Sequence, residues 1–367
     1  MQIKKIQLLN YRNYDNIEVN FGNKINIIIG NNAQGKTNLL ESIYVLAVTK
    51  SFLAIKERNL IKFNEKFARI SGIITNNISN ECKLDIIFSD KGKIVKVNNK
   101  EIKKISNYIS IVNVVIFNAE NIRIFKDSPS TRRRYFNMQI SQISNVYLKY
   151  LSDYNDLLRQ RNEFLKLINI NKQSDNYYLD ILNEKYSSLS IEVSKYRKKY
   201  VDDINKYLAE MYKQITGVDG LTLIYHTDVI LHKDTFLEKI KKNYDKEFLY
   251  KMTLEGPNRD DFYFTLAEKN LSLFGSQGQI RSAVLALKLS EVKLFKDITG
   301  DNPIFLLDDI FSELDIDKRN NLLNSIREDV QTIVTTTDID NIVEDIRKNA
   351  NIYKIDNGKL VSQDLKN

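Results

Sequence analysis

The sequence predicts an α/β fold, with a core of mixed sheets and helices and an inserted α-helical arm. An apolar strand at residues 25–29 runs into a glycine-rich loop spaced G-x-x-x-x-G-K-T and then into an apolar helix. A second apolar strand, residues 304–307, ends in two carboxylates. Between these motifs, residues 130–216 contain neither glycine nor proline and repeat apolar side chains at steps of four and three, which is typical of paired helices.

These differences in glycine and proline content and in apolar periodicity along the chain predict its domain organisation. A length of 367 residues suits two or so domains at ~100–200 residues each. We assign residues 1–129 to a first core segment, 130–254 to a mainly helical arm and 255–367 to a second core segment. The point after residue 216 at which the arm ends is left open.

Charge, cysteine content and the lengths of the apolar runs limit the classes of protein to which the chain could belong. The chain has 55 basic and 47 acidic residues, and the net charge of +8 is compatible with a nucleic-acid partner without indicating one. It contains one cysteine, which excludes an internal disulfide and favours a reducing compartment. We find neither a signal-peptide pattern nor an apolar run of the ~18 residues that a membrane span requires. We therefore expect a cytoplasmic protein with no membrane association.

The first core segment begins with short strands. Residues 2–30 alternate like three strands, residues 68–98 like a small antiparallel sheet, and residues 111–117 like another buried strand. The first two strands are joined by a turn whose Arg12 and Tyr14 could face a bound nucleotide. The alternative is an ordinary polar turn.

The glycine-rich loop predicts a nucleoside triphosphate site. Gly30 and Gly35 allow the chain to turn so that backbone N–H groups point at phosphate oxygens, and the following helix N-terminus adds a partial positive charge. Lys36 can reach the β- and γ-phosphates, and the Thr37 hydroxyl can ligate Mg²⁺. The alternative is a chance glycine-rich turn. The residues predicted to hold the nucleotide are Gly30, Asn31, Asn32, Ala33, Gln34, Gly35, Lys36 and Thr37.

The inserted arm is predicted to be an antiparallel helical hairpin with its tip at residues 169–176, where polar residues interrupt the apolar stripe. Arg161 occupies a position in that stripe, so either the packing is imperfect or another surface covers the arginine. Two basic runs, residues 132–134 and 197–199, are either solvated helix faces or DNA contacts. After the arm we predict a strand at 221–225, a helix from 234 to about 251 and a strand at 262–266.

Two further motifs carry chemistry. In phosphate-loop ATPases a carboxylate like that of Asp308 holds Mg²⁺, and one like that of Asp309 can polarise the attacking water. The alternative for this pair is a helix cap. Ser276 and Gly278 open a long apolar helix and form a second candidate anion site, although Ser276 could simply cap that helix.

The order of these motifs is similar to that of the ABC-type ATPase heads of the SMC family, and more closely it resembles the RecF family. The resemblance covers most of the chain, from residue 11 to residue 315. The matching stretches are Tyr11-Arg12-Asn13-Tyr14, residues 30–41, residues 128–134, Gln160-Arg161-Asn162, residues 256–261, residues 275–279 and Leu306-Leu307-Asp308-Asp309.

The resemblance implies a homodimer that forms on ATP. Lys36 and Thr37 of one copy would share the nucleotide with Ser276 and Gly278 of the other. Thr37 and Asp308 would hold Mg²⁺, so that Lys36, Asp308 and Asp309 would form the catalytic set. Asp315 would report across the interface.

The resemblance also implies a function in DNA repair. Family members act at single-stranded, gapped or junction DNA with RecO and RecR, and promote RecA loading, replication restart and the SOS response. We therefore expect a weak DNA-dependent ATPase whose turnover releases DNA. The alternative is a clamp that ATP merely closes on DNA, with incidental hydrolysis. ABC heads typically carry Glu at the position of Asp309, and the shorter carboxylate argues against efficient catalysis.

Overall fold

The computed structural model describes residues 1–53, 55–77, 81–167, 173–312, 322, 329–339, 342 and 344–365. Asp315, with its predicted role across the interface, lies outside the described residues. The chain divides into two compact units. The first comprises residues 1–122, 210–218 and 281–367, and the second comprises 123–209 and 219–280. Contacts thus group residues 255–280 with the arm, whereas the sequence assigned them to the core; the predicted domain boundaries stay predictions.

The described residues form fifteen strands and ten α-helices. The strands are β1 (Gln2–Tyr11), β2 (Tyr14–Asn20), β3 (Ile25–Ile29), β4 (Phe67–Thr75), β5 (Cys82–Ser89), β6 (Gly92–Val97), β7 (Lys100–Glu101), β8 (Val114–Asn118), β9 (Leu221–His226), β10 (Asp261–Leu266), β11 (Lys269–Asn270), β12 (Ile304–Asp308), β13 (Thr332–Thr336), β14 (Asn351–Asp356) and β15 (Lys359–Asp364). The helices are α1 (Lys36–Val48), α2 (Arg123–Lys126), α3 (Pro129–Ile143), α4 (Asn145–Leu167), α5 (Gln173–Thr216), α6 (Lys233–Lys242), α7 (Tyr244–Tyr250), α8 (Leu271–Phe274), α9 (Gln277–Thr299) and α10 (Glu344–Asn349).

The first unit contains two six-stranded sheets. One is antiparallel, with the order β2-β1-β4-β5-β6-β7, and it confirms the alternating strands predicted from the sequence. The other has the order β15-β14-β3-β13-β12-β8, in which only the pairing of β15 with β14 is antiparallel. The predicted strands β3, β8 and β12 are confirmed in this sheet, whereas β13, β14 and β15 were not anticipated.

The parallel sheet determines which motifs meet. β13 lies between β3 and β12, with Thr335 paired to Asp308 on one side and to Ile28 on the other. Because parallel strands end at the same edge of a sheet, the loop after β3 and the carboxylates after β12 come to the same edge. The apolar helix α1 buries Leu39 and Leu40 completely and thereby fixes the start of the helix at this edge.

The second unit contains the arm. Side-chain contacts between α4 and α5 run in opposite directions along the two helices, from Gln160 with Tyr178 (2.7 Å) to Tyr154 with Tyr186 (3.1 Å). The predicted antiparallel hairpin is therefore confirmed. Its predicted tip at 169–176 is wrong for residues 173–176, which belong to α5, while residues 169–172 lie outside the described residues. A three-stranded sheet of order β11-β10-β9 completes this unit among the described residues.

Arg161 is fully buried within the second unit. Its guanidinium forms a 2.5 Å ion pair with Glu247 and donates hydrogen bonds to Asn183 (2.7 Å) and Thr253 (2.7 Å). Of the two explanations for an arginine in the apolar stripe, the one in which another surface covers it is confirmed.

The basic runs are in part structural. Arg197 is 2% exposed, and it donates 2.7 Å and 2.8 Å hydrogen bonds to Asp260 Oδ2 and to the Pro257 carbonyl. A DNA contact by Arg197 is therefore wrong. Arg132 pairs with Asp261 at 2.7 Å, and Arg133 donates to the Asp260 carbonyl at 2.7 Å. Both runs thus anchor the helices to residues 257–261, which lead into β10.

The helix predicted from 234 to about 251 is two helices, and the prediction of one helix is wrong. Asn243 separates α6 from α7 with φ −99° and ψ 4°. Its side-chain amide donates to the Lys239 carbonyl (3.3 Å) and to Glu255 (2.8 Å). An asparagine side chain that bonds to nearby backbone competes with the helical ladder, which explains the break.

Among the described residues, no helix combines the length and apolarity needed to cross a membrane.

Replacing Arg161 with Met should destabilise the protein by about 3–5 kcal/mol, because it leaves the Glu247 carboxylate buried without its ion-pair partner. The measurement is the free energy of unfolding in denaturant. Arg159→Met in the same helix is the control, since Arg159 is 75% exposed and should leave the unfolding midpoint unchanged. Equal midpoints for the two variants would contradict a structural role for the buried pair.

Candidate nucleotide-binding site

The phosphate loop joins β3 to α1, and its two glycines are required by close approach. At Gly35, φ is +110°, and an added Cβ would lie 2.6 Å from the Asn13 side chain. At Gly30, an added Cβ would lie 2.3 Å from the Ile355 carbonyl oxygen in β14. The tight loop predicted from the spacing therefore has the backbone conformation that only glycine permits at residue 35.

Two segments brace the loop from outside. From the turn between β1 and β2, Asn13 donates to the Gln34 carbonyl (3.2 Å) and Tyr14 donates to the Gly35 carbonyl (2.9 Å). From the turn between β14 and β15, the Gly358 N–H donates to the Gln34 carbonyl at 3.1 Å. The remaining loop residues, Asn31, Asn32 and Ala33, continue the turn, with Ala33 at φ +64°.

Lys36 points back into this loop. Its ammonium donates to the carbonyls of Gly30 (2.6 Å) and Asn31 (2.8 Å), and the residue is 7% exposed. Burial lowers the pKa of Lys36, and the negative charges of Asp309 and Asp308 oppose that effect. A partly desolvated cation at this point interacts strongly with an incoming anion.

Asp308 links three elements. One oxygen of its carboxylate accepts hydrogen bonds from Thr37 (2.9 Å) at the start of α1 and from Thr335 (2.7 Å) in β13. Burial raises the pKa of Asp308, while these two hydrogen bonds lower it. A buried carboxylate beside a threonine hydroxyl offers the hard oxygen ligands that Mg²⁺ prefers, so Thr37 and Asp308 fit the predicted metal. No cluster of three acidic, His or Cys side chains suited to a metal occurs in the described part of the chain.

Asp309 follows with an unusual backbone. Its φ is +52°, in the left-handed region that Asp and Asn tolerate better than other non-glycine residues, and its N–H donates to Thr335 Oγ1 at 3.0 Å. Thr335 therefore orients both acidic residues. Sequence reasoning missed this threonine, although the β-branched run at 332–336 is a strand signal that could have located it.

Arg12 lies beside the first helix. Its guanidinium pairs with Glu41 at 2.9 Å and donates to the Asn59 carbonyl at 3.3 Å, and Glu41 also accepts a 2.8 Å bond from the buried Tyr11 hydroxyl. The turn that carries Arg12 is thus bonded to α1 and to the phosphate loop. It therefore has a structural role that an ordinary polar turn would not have. Direct contact of Arg12 with a nucleotide stays a prediction.

Ser276 and Gly278 lie exposed at the start of α9. Ser276 Oγ accepts from the Gln279 N–H (3.2 Å), and Gln279 Oε1 accepts from the Ser276 N–H (2.8 Å), which is a capping box. The helix-cap alternative is therefore confirmed, and an anion-binding role in addition stays a prediction. A Cβ at Gly278 would meet only Ser276 Oγ at 3.9 Å, so packing within the described residues does not require this glycine.

Comparison with known proteins identifies the family. Residues 2–361 match the family described as RecF/RecN/SMC N terminal domain. Over 372 residues the chain is 39% identical to the DNA replication and repair protein RecF of Ligilactobacillus salivarius (strain UCC118), an alignment covering 99% of this chain and 98% of that protein. The chain belongs to the RecF family. Identity to the Bacillus subtilis (strain 168) RecF is also 39%, over 98% of this chain and 100% of that protein.

Solved RecF structures share the fold. A structure of the recombination mediator protein RecF-ATP is 30% identical to this chain with a TM-score of 0.91, and it covers 99% of this chain and 97% of that one. The RecF-ATPrS structure gives a TM-score of 0.88 at 31% identity. An Smc head domain from Pyrococcus furiosus is similar in fold alone, at 16% identity and a TM-score of 0.54. The predicted fold class, an ABC/SMC-like ATPase head with an inserted helical arm, is confirmed.

Replacing Asp308 with Asn should stabilise the protein at pH 7. Because the pKa of Asp308 is raised in the folded state, the buried carboxylate destabilises the fold once the pH exceeds the ordinary aspartate value of about 3.9. Asparagine keeps an oxygen for the Thr37 and Thr335 hydroxyls and removes the charge. We expect a higher unfolding temperature at pH 7 and a gain that disappears as the pH falls towards 4. Asp15→Asn, at a largely exposed carboxylate, is the control and should show no such gain.

Proposed function

We propose that this RecF-family chain is an ATP-binding DNA replication and repair protein that dimerises on ATP and hydrolyses it slowly to release DNA. The observation that carries the proposal is the meeting of Lys36, Thr37, Asp308 and Asp309 at one sheet edge, with Thr37 bonded to Asp308 at 2.9 Å. The full-length relatives are DNA replication and repair proteins, and one solved relative is RecF-ATP.

The loop supports ATP as the ligand. Residues 30–37 surround the terminal phosphates with backbone N–H groups, and the Lys36 ammonium exchanges its two carbonyl partners for phosphate oxygens. Mg²⁺, held by Thr37 and Asp308, neutralises charge on the β- and γ-phosphates when bound. The glycines leave the backbone close enough for these contacts, which a side chain at residue 35 would prevent.

Asp309 supports hydrolysis. Its backbone is fixed through the Thr335 hydroxyl at 3.0 Å, and its carboxylate is close enough to Lys36 to affect the pKa of that lysine. In this position Asp309 orients and polarises a water for attack on the γ-phosphate. Phosphoryl transfer depends mainly on such positioning and on compensation of charge.

The second half of the site comes from another copy of the chain. Ser276 and Gly278 stand exposed at the N-terminus of the 23-residue helix α9, where the helix dipole attracts an anion. We assign them to the γ-phosphate bound by the partner copy. Packing within one copy does not require a glycine at position 278. An exposed, small residue of this kind suits an interface between two copies.

The DNA and protein partners follow from the family. We propose single-stranded, gapped or junction DNA as the substrate surface, RecR and RecO as direct partners and RecA loading as the outcome, with effects on replication restart and the SOS response in the cytoplasm. The support is the assignment of the solved relatives to the RecFOR pathway, and the net charge of +8 is compatible with a DNA partner.

Mixing two inactive variants tests the shared site. Lys36→Met removes the phosphate contact, and Ser276→Asp keeps a good helix cap but places a negative charge against the γ-phosphate. Each variant alone should lose ATP hydrolysis and ATP-dependent dimerisation. Only the heterodimer has an intact site, one of its two, so hydrolysis in an equimolar mixture should return to at most about half of the wild-type rate.

Ser188→Asp is the control for added charge, because Ser188 is also an exposed helical serine in the second unit. It should dimerise and hydrolyse ATP as the wild type does. Dimerisation is read by light scattering with and without MgATP. If the mixture is as inactive as its components, Lys36 of one copy and Ser276 of the other do not act on the same nucleotide. That result would contradict the proposal of a shared site.

The alternative function is an ATP-closed clamp in which hydrolysis is incidental. The shorter carboxylate of Asp309, where ABC heads typically carry Glu, favours it. Asp309→Asn separates the two functions, because asparagine accepts the φ of +52° without strain and leaves the fold intact.

We expect the Asp309→Asn variant to bind ATP, to dimerise and to lose hydrolysis. Its release from gapped DNA, followed by fluorescence after addition of competitor DNA, should then slow by at least ~10-fold, because turnover no longer opens the dimer. Release at the wild-type rate, together with normal recruitment of RecR, would favour the clamp.

A further inference from the structure

Three large hydrophobic side chains are exposed at the end of α7. Leu249 is 75% exposed, Tyr250 is 61% exposed and Met252 is 41% exposed. They lie so close together in the chain that they form one cluster, whereas Glu247, which precedes them in α7, is fully buried. Hydrophobic residues exposed singly are ordinary, but a cluster of them commonly marks a surface that binds another molecule.

The turn after α7 holds this cluster in place. Glu247 forms the fully buried 2.5 Å ion pair with Arg161 of α4, which fixes the direction of α7. The Met252 N–H donates to the Glu247 carbonyl at 3.3 Å, and the Thr253 N–H donates to Asn162 Oδ1 at 2.8 Å. Because the backbone is anchored on both sides of the cluster, its side chains cannot withdraw into the core without the loss of buried polar contacts.

Two lysines flank Tyr250. Lys246 lies four residues earlier in α7, at the spacing where the side chains of a helix are neighbours, and Lys251 follows directly. Both lysines are exposed. Asp245, in the first turn of α7, is the exposed carboxylate of this short helix, and the helix dipole stabilises it there. The helix and its end therefore present two cations and one anion to solvent.

A third cation, Arg259, comes from the segment that leads into β10. Its side chain is exposed, and its guanidinium lies 3.8 Å from Met252 Sδ. The carboxylates on either side of it in the chain, Glu255 and Asp260, pair with other cations. Across the parts of the chain that the structure describes, none of these three cations forms an ion pair.

We propose that these residues form a docking surface for a partner protein that presents an apolar segment flanked by acidic residues. The surface, which we call the α7 patch, consists of Leu249, Tyr250, Met252, Lys246, Lys251 and Arg259. Tyrosine, methionine and arginine are enriched at protein interfaces, and a methionine side chain adapts to the shape of its partner. The apolar side chains supply the area to be buried, and the unpaired cations select carboxylates over cationic side chains.

A protein segment suits the α7 patch better than a single DNA strand does. A base stacks on an aromatic ring, but only one of the three exposed hydrophobic side chains is aromatic. The aliphatic side chains of Leu249 and Met252 gain free energy when other apolar side chains cover them, and a nucleic acid offers little apolar surface for this. The patch belongs to residues 219–280 of the second unit, whereas the phosphate loop and the acidic pair belong to the first. The inference therefore goes beyond the proposed function.

A peptide of known sequence tests the docking chemistry on the full-length chain. The probe is a fluorescein-labelled helical peptide with leucine at helical spacing along one face and glutamate at the other positions. Two matched peptides carry lysine in place of glutamate, or serine in place of leucine. Fluorescence anisotropy should show the leucine–glutamate peptide binding at least ~10-fold more tightly than either matched peptide, because only this peptide satisfies both the apolar and the cationic side chains.

Substitutions within the patch test its energetics. Tyr250→Ser should weaken binding of the leucine–glutamate peptide by roughly 10-fold, since an aromatic anchor is lost. Arg259→Gln should reduce the dependence of affinity on salt, because one charge pair is removed. Tyr177→Ser is the matched control, since Tyr177 is a 71% exposed tyrosine of α5 outside the patch, and it should bind the peptide as the wild type does. All three variants should keep the wild-type unfolding midpoint.

Four results would overturn the assignment. The wild-type chain failing to bind the leucine–glutamate peptide would do so, as would equal affinities of the wild type and Tyr250→Ser. Weaker binding of labelled oligothymidylate by Tyr250→Ser, with peptide binding unchanged, would assign the patch to a single DNA strand. Lower light scattering of this variant without nucleotide would assign it to a second copy of the chain. ATP hydrolysis and ATP-dependent dimerisation of the wild type are unaffected by these outcomes, so a failure of the proposed function is distinguishable from a failure of the patch.

Discussion

The Asp308 carboxylate is the constraint on which the candidate site depends. It accepts hydrogen bonds from Thr37 and Thr335, and so connects the helix after the phosphate loop, the strand of the acidic pair and the strand between them. Burial raises its pKa, which means that the fold holds a charge where charge is disfavoured. A cation at the same position relieves that cost. In the site that we propose, a Mg²⁺ ion held by Asp308 would offset the cost of this buried charge.

The second unit uses buried charge differently. Arg161 and Arg197 are enclosed with carboxylates as partners and with hydrogen bonds to their remaining N–H groups. Such pairs cost desolvation, and their value lies more in fixing one arrangement than in net stability. Here they join the helical hairpin to the segments around residues 247–261.

A surface feature that we assign to another molecule is the exposed start of α9. Ser276 and Gly278 are exposed at this helix start, and we propose that a second copy of the chain binds there. Arg12, in the turn between β1 and β2, is bonded to Glu41 of α1 and to the carbonyl of Asn59.

Much of the site was predictable because its chemistry is local. The spacing of Gly30, Gly35, Lys36 and Thr37 is set by the phosphates it surrounds, and the apolar strand before Asp308 shows that the carboxylates end a buried strand. The helical hairpin was equally visible, since its period persists over dozens of residues. The break at Asn243 was not predicted. Its side chain bonds to the nearby Lys239 carbonyl, but the bond to Glu255 that also holds this side chain forms only after the chain folds back.

The sequence by itself therefore determined each motif and the helix, strand or loop that carries it. Only the tertiary structure decided which residues surround each motif. Thr335 contacts the carboxylates, Glu247 pairs with Arg161, Asp260 pairs with Arg197, and Tyr250 is exposed to solvent. The reason is physical. Periodicity and loop spacing reflect contacts between near neighbours in the chain, whereas the order of strands in a sheet and the burial of a charge depend on residues tens or hundreds of positions apart.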